Sequence, residues 1–344
     1  MRLLLVLVNY NGSGLTIDCL RSLAPELAKL PGVRVAVCDN GSEAGEVERL
    51  ADAVVELGLS DRVDLRAVRC NQGFTGGNNV LIREALASST PPDAVMLLNN
   101  DTLVCPGAIV ELVRFLESHP DVGLCGSRLE HPDGESQRAA RRFITAASEF
   151  EAYARIGVIS RLLSSWLVAP PESGSSIPSR CGWIPGAALV VRTEVLRTVG
   201  LLDEGLYTYF DDVDYCFRAR RAGWPTWYVP TSRIVHLVGK TTHITEAQTR
   251  PRRRPAYWFA ARRRYFLTNF SAPYAAMADL AAIAGLVLHK TRVFVQRRPD
   301  PDPPMLLRDL ARHSVLVTGF RRRPVDNPLT GAPVVSSAEQ VTVC

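Results

Sequence analysis

Four short apolar runs divide the first third of the chain, at residues 3–8, 33–38, 63–68 and 94–98, and a stretch of helical periodicity separates each from the next. Runs of this length bounded by polar turns predict buried strands, and the intervening pattern predicts helices over 15–29, 43–57 and 76–87. Strands and helices alternating in this way build a mostly parallel sheet covered by helices on both faces. The first run, in "MRLLLVLVNYNG", is short for a secretory signal and has no small-residue cleavage site, so it reads as the first strand.

Ligands of such sheets bind beyond the carboxyl ends of the strands. Polar clusters stand at each of those ends: "NYNG", "DNGS", "NQGFTGGNN" and "NNDT". None has the G-x-G-x-x-G spacing that brings a helix N-terminus onto a pyrophosphate, which disfavours a nicotinamide-dependent dehydrogenase. Asp39 can accept from a base or a ribose hydroxyl, or can cap the next helix through an Asx-turn. The loop with Asn71, Gly76 and Gly77 either lets a ligand approach the backbone or caps its helix. Asn99, Asn100 and Asp101 leave a buried run together, and a carboxylate there can hold Mg²⁺ or Mn²⁺ against a diphosphate.

Beyond residue 128 the pattern loosens. A helix is expected over 146–168, followed by a Pro-, Gly- and Ser-rich loop at 169–180. Order returns with "GWIPGAALVVR", a turn feeding a strand, and with "YFDDVDYCFRARRAG", which places Asp211, Asp212 and Asp214 within four positions. On a helix starting there, Asp211 and Asp214 share a face at the positive end of the dipole, and Asp214 is spaced to pair with Arg218. Crowded carboxylates raise at least one pKa, which suits a general base.

Composition adds two constraints. With 344 residues and 47% hydrophobic content the chain can fill a large core, and its net charge of +5 comes almost wholly from arginine, since only Lys29, Lys240 and Lys290 are lysines. Arginine clusters at 252–254, 262–264, 297–298 and 321–323 suit phosphates or an anionic membrane, or form solvated faces. No nucleic-acid partner is expected. The eight cysteines carry no zinc-ligand spacing and read as thiols of a reducing compartment. Residues 273–296 form an apolar stretch interrupted by Asp279, His289, Lys290 and Arg292, whose uncharged run at 280–288 is too short to span a bilayer. The stretch predicts a helix lying on a membrane, with packing on the domain or on a second copy of the chain as the alternative.

In their order and spacing, "VNYNG", "CDNGS", "NQGFTGGNN", "LLNNDT", "PGAALVVRTEVLRTVGLLDEGLYTYFDDVDYCFRARRAGW" and "IVH" resemble the inverting glycosyltransferases of family 2, in the branch with bacterial rhamnosyltransferases, over roughly residues 3–268. The resemblance implies an α/β chain with the GT-A (nucleotide-diphospho-sugar transferase) fold, a mostly parallel central sheet flanked by helices. Residues 1–128 would bind the nucleotide sugar, 129–268 the acceptor, with a C-terminal helical extension at 269–320 and a disordered tail at 321–344.

Carried over by position, the resemblance implies that Asp212 is the general base, with Asp211 and Asp214 beside it. Asn9, Asn11, Asp39, Asn71, Gly76, Gly77, Asn78, Asn100 and Asp101 would lie along the nucleotide sugar. Asp101 and His236 would bind a divalent cation, Mg²⁺ or Mn²⁺; the first acidic position of the usual metal motif is Asn99 here. Trp183 and Gly186 would face the acceptor, and Arg262 or Arg263 the leaving diphosphate. The implied donor is thymidine diphosphate rhamnose (dTDP-rhamnose), with a uridine diphosphate hexose as alternative. The acceptor would be a glycan or a polyprenyl-linked saccharide on the cytoplasmic side of the membrane, in cell-surface polysaccharide synthesis. A non-catalytic nucleotide-sugar-binding or glycan-binding protein on this fold is the other class left open.

Overall fold

The computed structural model describes residues 1–170, 175–237 and 251–325. Its first third follows the hydrophobic pattern: β1 (Leu3–Asn9), α1 (Ser13–Lys29), β2 (Val33–Asn40), α2 (Glu46–Glu56), β3 (Val63–Val68), α3 (Gly73–Ala87) and β4 (Ala94–Leu98). All five residues of β4 are buried, as a strand covered on both faces requires. Then come β5 (Thr102–Val104), α4 (Ala108–Ser118), β6 (Leu124–Glu130), α5 (Ala146–Ala154), α6 (Gly157–Leu162), β7 (Ser179–Cys181), β8 (Ala188–Arg192), α7 (Thr193–Val199), α8 (Asp211–Arg221) and β9 (Thr226–His236). Four helices close the described chain: α9 (Ala256–Asn269), α10 (Ala272–Val295), α11 (Leu306–Arg312) and α12 (Val315–Thr318).

The strands form one sheet in the order β3-β2-β1-β4-β8-β6-β9-β5, with β7 added on β9. The half built from β3, β2, β1 and β4 is parallel. In the other half β8 runs antiparallel between β4 and β6, β5 and β7 run antiparallel to β9, and β6 and β9 pair parallel, so the sheet expected to be mostly parallel is mixed there. The insertion of β8 carries the Gly186–Ala187 turn to the end of β4, beside Asn99: the Asn99 N–H donates to the Ala187 carbonyl at 3.2 Å.

The helix expected over 146–168 is broken. Arg155 adopts a left-handed conformation (φ 50°) that ends α5, and α6 starts two residues later. The C-terminal helices are fastened to the domain, because Ala275, Ala278 and Val315 join the main hydrophobic core. Most of the expected tail, 326–344, and part of the loop expected at 169–180 lie outside the described residues. Cys19, Cys38, Cys125 and Cys216 are buried free thiols, each pushed up to about 12 by burial. Cys70, by contrast, is disulfide-bonded, which departs from the expectation of free thiols throughout.

Candidate active site

The acidic segment opens α8. Tyr209 and Phe210 both take positive φ (67° and 61°), a conformation costly for side-chain-bearing residues. Aromatic packing holds them there: Tyr209 stacks on Tyr257, and Phe210 packs against Trp258 and Tyr265. The chain therefore enters the helix abruptly, with its first residues at the positive end of the dipole.

The three carboxylates then part company. Asp214 is fully buried and both of its oxygens are used, Oδ2 by Arg218 Nε at 2.8 Å and Oδ1 by Asn269 Nδ2 at 2.6 Å. It joins α8 to α9, so the expectation that it takes part in catalysis is corrected to a structural one. Asp211 is buried, and burial together with the charges of Asp212 and Asp214 pushes its carboxyl well above the ordinary value. Asp212 keeps part of its surface open and accepts from the N–H groups of Val213 (2.7 Å) and Gly186 (3.3 Å). Burial raises its pKa too, opposed by those N–H groups and by the charge of Arg141. Of the three it is the carboxylate able to meet a substrate.

Gly186 has a reason to be glycine. A Cβ there would lie 3.3 Å from the Phe74 ring and 3.9 Å from Asp212 Cβ. Phe74 in turn begins α3, with its N–H on the Tyr207 carbonyl at 2.9 Å, so the "GFTGG" loop and the acidic segment are one assembly. Phe74, inside the "GFTGG" loop, and Arg141, outside any motif, were not among the residues expected at the site.

A second cluster forms where β5 pairs with β9, Thr102 opposite His236. His236 Nε2 lies 3.3 Å from Asp101 Oδ1 and 3.3 Å from Asn99 Nδ2. Gln137, unforeseen from the sequence, holds the other side of the ring. Its Nε2 donates to the carbonyls of His236 (2.7 Å) and Glu130 (3.1 Å), which turns its Oε1 toward His236 Nδ1 at 3.1 Å. That oxygen can only accept, so in the neutral ring the proton sits on Nδ1 and the lone pair of Nε2 faces Asn99 Nδ2 and the Asp101 carboxylate. Two lone pairs converging at one point fit a divalent cation, and an outer hydrogen bond that fixes the ring is how histidine ligands are held. Among the described residues no group of three or more His, Cys, Asp or Glu gathers for a metal, so remaining ligands would come from Asn99, water or the diphosphate.

The residues expected along the nucleotide sugar divide between the cleft and the interior. Asp39 sits opposite Asn9 across β1 and β2 and accepts from Asn9 Nδ2 (2.8 Å) and the Ser42 N–H (3.1 Å). Asn9 is fully buried and also accepts from Thr16, whose hydroxyl receives Asn100 Nδ2 at 3.1 Å. Asn9 and Asn100 thus tie β1, β2, α1 and the β4–β5 turn together from inside. Asn11 caps Glu43 (2.8 Å), Asn71 accepts from Gly73 N–H (2.8 Å) in an Asx-turn, and Asn78 donates to the Phe74 carbonyl (2.8 Å). Gly77 lies against β1, where a Cβ would come within 2.9 Å of Val8, and Gly76 lies against Gln72. The glycines let α3 approach the sheet, and the asparagines shape the loop.

Two expectations are overturned. Arg262 does not face a diphosphate: it is buried, with Nε on Glu149 at 2.8 Å and Nη1 on Asp279, joining α9, α5 and α10. Trp183 is a core residue, its indole N–H bonded to the Arg142 carbonyl at 2.9 Å and Arg141 set over its ring at 5.0 Å.

Comparison with known proteins fits this geometry. A Mycobacterium tuberculosis protein named N-acetylglucosaminyl-diphospho-decaprenol L-rhamnosyltransferase is 28% identical over 217 residues, 61% of this chain and 68% of that one. Rhamnosyltransferase WbbL of Escherichia coli K12 is 23% identical over 168 residues, 48% of this chain and 60% of that one. A Pyrobaculum calidifontis mannosyltransferase solved with GDP-Man and Mn²⁺ superposes with a TM-score of 0.52 at 14% identity, covering 93% of this chain and 84% of that one. GalNAc-T7 solved with UDP, GalNAc and Mn²⁺ gives a TM-score of 0.56 at 14% identity, covering 93% and 56%. At such identities the two structures speak for the GT-A fold alone. The profile of "Glycosyltransferase like family 2" matches residues 2–265, most of the chain and every element of the cleft, and the chain belongs to that family of glycosyltransferases, on its rhamnosyltransferase-like side.

Proposed function

We propose that the chain transfers rhamnose, with inversion, from dTDP-rhamnose to a hydroxyl of a polyprenyl-diphosphate-linked saccharide, at the cytoplasmic side of a membrane and in the synthesis of a cell-surface polysaccharide. The observation that carries the transfer chemistry is the placement of Asp212. It is partly open, has a raised pKa, and is held by the Gly186 N–H one residue from the carbonyl that receives Asn99. Base and diphosphate turn therefore flank one cleft at the ends of β4 and β8.

In the reaction the acceptor oxygen forms a bond to the anomeric carbon as the bond from that carbon to the diphosphate oxygen breaks on the opposite face. The acceptor proton passes to Asp212, and the nucleotide diphosphate leaves with the electron pair. A divalent cation, when bound, neutralises charge on the leaving diphosphate. Asp101 and His236 would hold it, with Gln137 fixing the imidazole. The pKa of Asp212, raised by burial, makes it a stronger base than an exposed aspartate.

The choice of rhamnose and of a lipid-linked acceptor is supported by likeness to the mycobacterial protein and to WbbL. Calorimetric titration with dTDP-rhamnose and with uridine diphosphate hexoses, with and without Mn²⁺, tests the donor. Release of nucleotide diphosphate on addition of acceptor, with inverted product stereochemistry, tests the reaction. Tight binding of a uridine diphosphate sugar in place of dTDP-rhamnose would overturn the donor assignment, and binding without turnover over a broad acceptor panel would overturn catalysis.

A further inference from the structure

Helix α10 is built inside out. Its inner face carries Ala275, Ala278, Ala282, Gly285 and Leu286 against the domain, and with them the ionisable Asp279 and His289. Asp279 meets Arg262 and accepts from the Val315 N–H at 2.7 Å, while Lys290 and Arg292 at the edge bind Asp300 and the Arg155 carbonyl. Asp279, Lys290 and Arg292, three of the polar residues that break the apolar run in the sequence, are therefore paired within the protein.

The outer face is the apolar one. Met277, Leu280, Val287, Leu288 and Val295 recur at helical spacing and are 39–73% exposed. From Met277 to Val295 this stripe extends about 27 Å at about 1.5 Å per residue. The bond from Val315 to Asp279 sets α12 against the inner face of α10, and Leu316 (54%) and Val317 (68%) of α12 are exposed as well. A patch of this length on a soluble fold marks an interaction surface. Its flanks are cationic: Arg297 and Arg298 follow α10, and Arg321, Arg322 and Arg323 follow α12, all exposed.

We propose that the outer face of α10, together with α12, docks on an anionic lipid bilayer, the apolar stripe entering the headgroup–acyl boundary and the terminal arginines binding lipid phosphates. Charge selects this occupant. Two copies meeting face to face would bring the same arginines together, whereas an anionic surface neutralises them. The helix is long and apolar enough to cross a membrane, but 39% of its most apolar window is buried in the protein and its inner face belongs to the core, so it lies on the bilayer. The inference stands whichever sugar is transferred.

The test is co-sedimentation of the full chain with phosphatidylcholine vesicles, with and without phosphatidylglycerol. Binding is expected with the anionic lipid. Leu280→Glu combined with Val287→Glu should lower the partition coefficient by about tenfold or more, and Arg297→Gln with Arg298→Gln by about tenfold. These side chains are exposed, so melting temperature and nucleotide titration should match the parent chain, which separates loss of docking from loss of the donor site. No binding to anionic vesicles, or binding indifferent to both double substitutions, would overturn the proposal. So would sedimentation velocity showing an oligomer that the Leu280→Glu/Val287→Glu chain dissociates, which would give the face to a second copy.

Discussion

The Gly186 backbone N–H donates to Asp212 Oδ2 at 3.3 Å, so the turn before β8 holds the carboxylate that opens α8. The other oxygen takes the Val213 N–H, and neither bond consumes all the lone pairs of a carboxylate. Asp212→Asn keeps the shape and removes the basicity. Turnover should fall by about 10²- to 10⁴-fold, while donor affinity measured by calorimetry stays at the parent value. Because burial raises the Asp212 pKa, the acid limb of the pH–rate profile should lie above 3.8. Unchanged turnover in the Asn variant would transfer the role to Asp211.

Asp211 makes a prediction about stability. Its buried carboxyl, beside Asp212 and Asp214, holds a proton more tightly folded than unfolded. As pH rises past 3.8 the unfolded chain ionises first, so the stability tied to this group is present in acid and lost as pH climbs toward the folded pKa. Asp211→Asn should melt higher than the parent at neutral pH, and the gap should close in acid. Melting temperatures of both chains across that range check the sign; a variant less stable at neutral pH would mean that Asp211 is held by an attractive partner.

Much of this was legible in the sequence, for identifiable reasons. The four strand-length runs became β1 to β4 because helical segments separate them and leave few alternatives; β3, at the sheet edge with only Val63 buried, departs from the expectation of a buried strand. The nearness of Asp101 and His236 follows from motifs whose order survives folding. The Asp214–Arg218 pair was readable from its spacing, but Arg262 misled because a charged residue inside a motif looks the same in sequence whether it faces a ligand or a buried partner. Arg262 is held by Glu149, 113 positions away, which no local spacing reveals. Gln137 was invisible for the same reason: it meets His236 across 99 positions, in a stretch without periodicity.

The Arg262 assignment is itself testable. Arg262 lies between Glu149 and Asp279 with all three side chains at most 10% exposed. Arg262→Met would leave two buried carboxylates unpaired, a loss of about 3–5 kcal/mol for a broken buried ion pair. Denaturant titration should show that loss, and donor affinity under native conditions should be unaffected because the side chain does not enter the cleft. A selective loss of nucleotide binding with stability preserved would return Arg262 to the diphosphate.

Gln137 offers the sharpest check on the cation site, since it touches no substrate and acts through one ring nitrogen. Its amide is oriented by the His236 and Glu130 carbonyls, so its oxygen requires a proton on His236 Nδ1 and leaves Nε2 a lone pair beside Asp101. In Gln137→Leu the ring is free to carry its proton on Nε2, where Asp101 Oδ1 at 3.3 Å would accept it. Nitrogen-15 shifts of His236 should therefore report Nδ1–H in the parent and a shift toward Nε2–H in the variant. Mn²⁺ affinity, read by calorimetry or by the paramagnetic relaxation of water, should fall by about 10- to 100-fold, the usual cost of losing an outer-shell partner. A structural role alone would lower the melting temperature and leave the tautomer in place; an unchanged tautomer with unchanged Mn²⁺ affinity would remove Gln137, and with it the argument for Nε2 as a ligand, from the site.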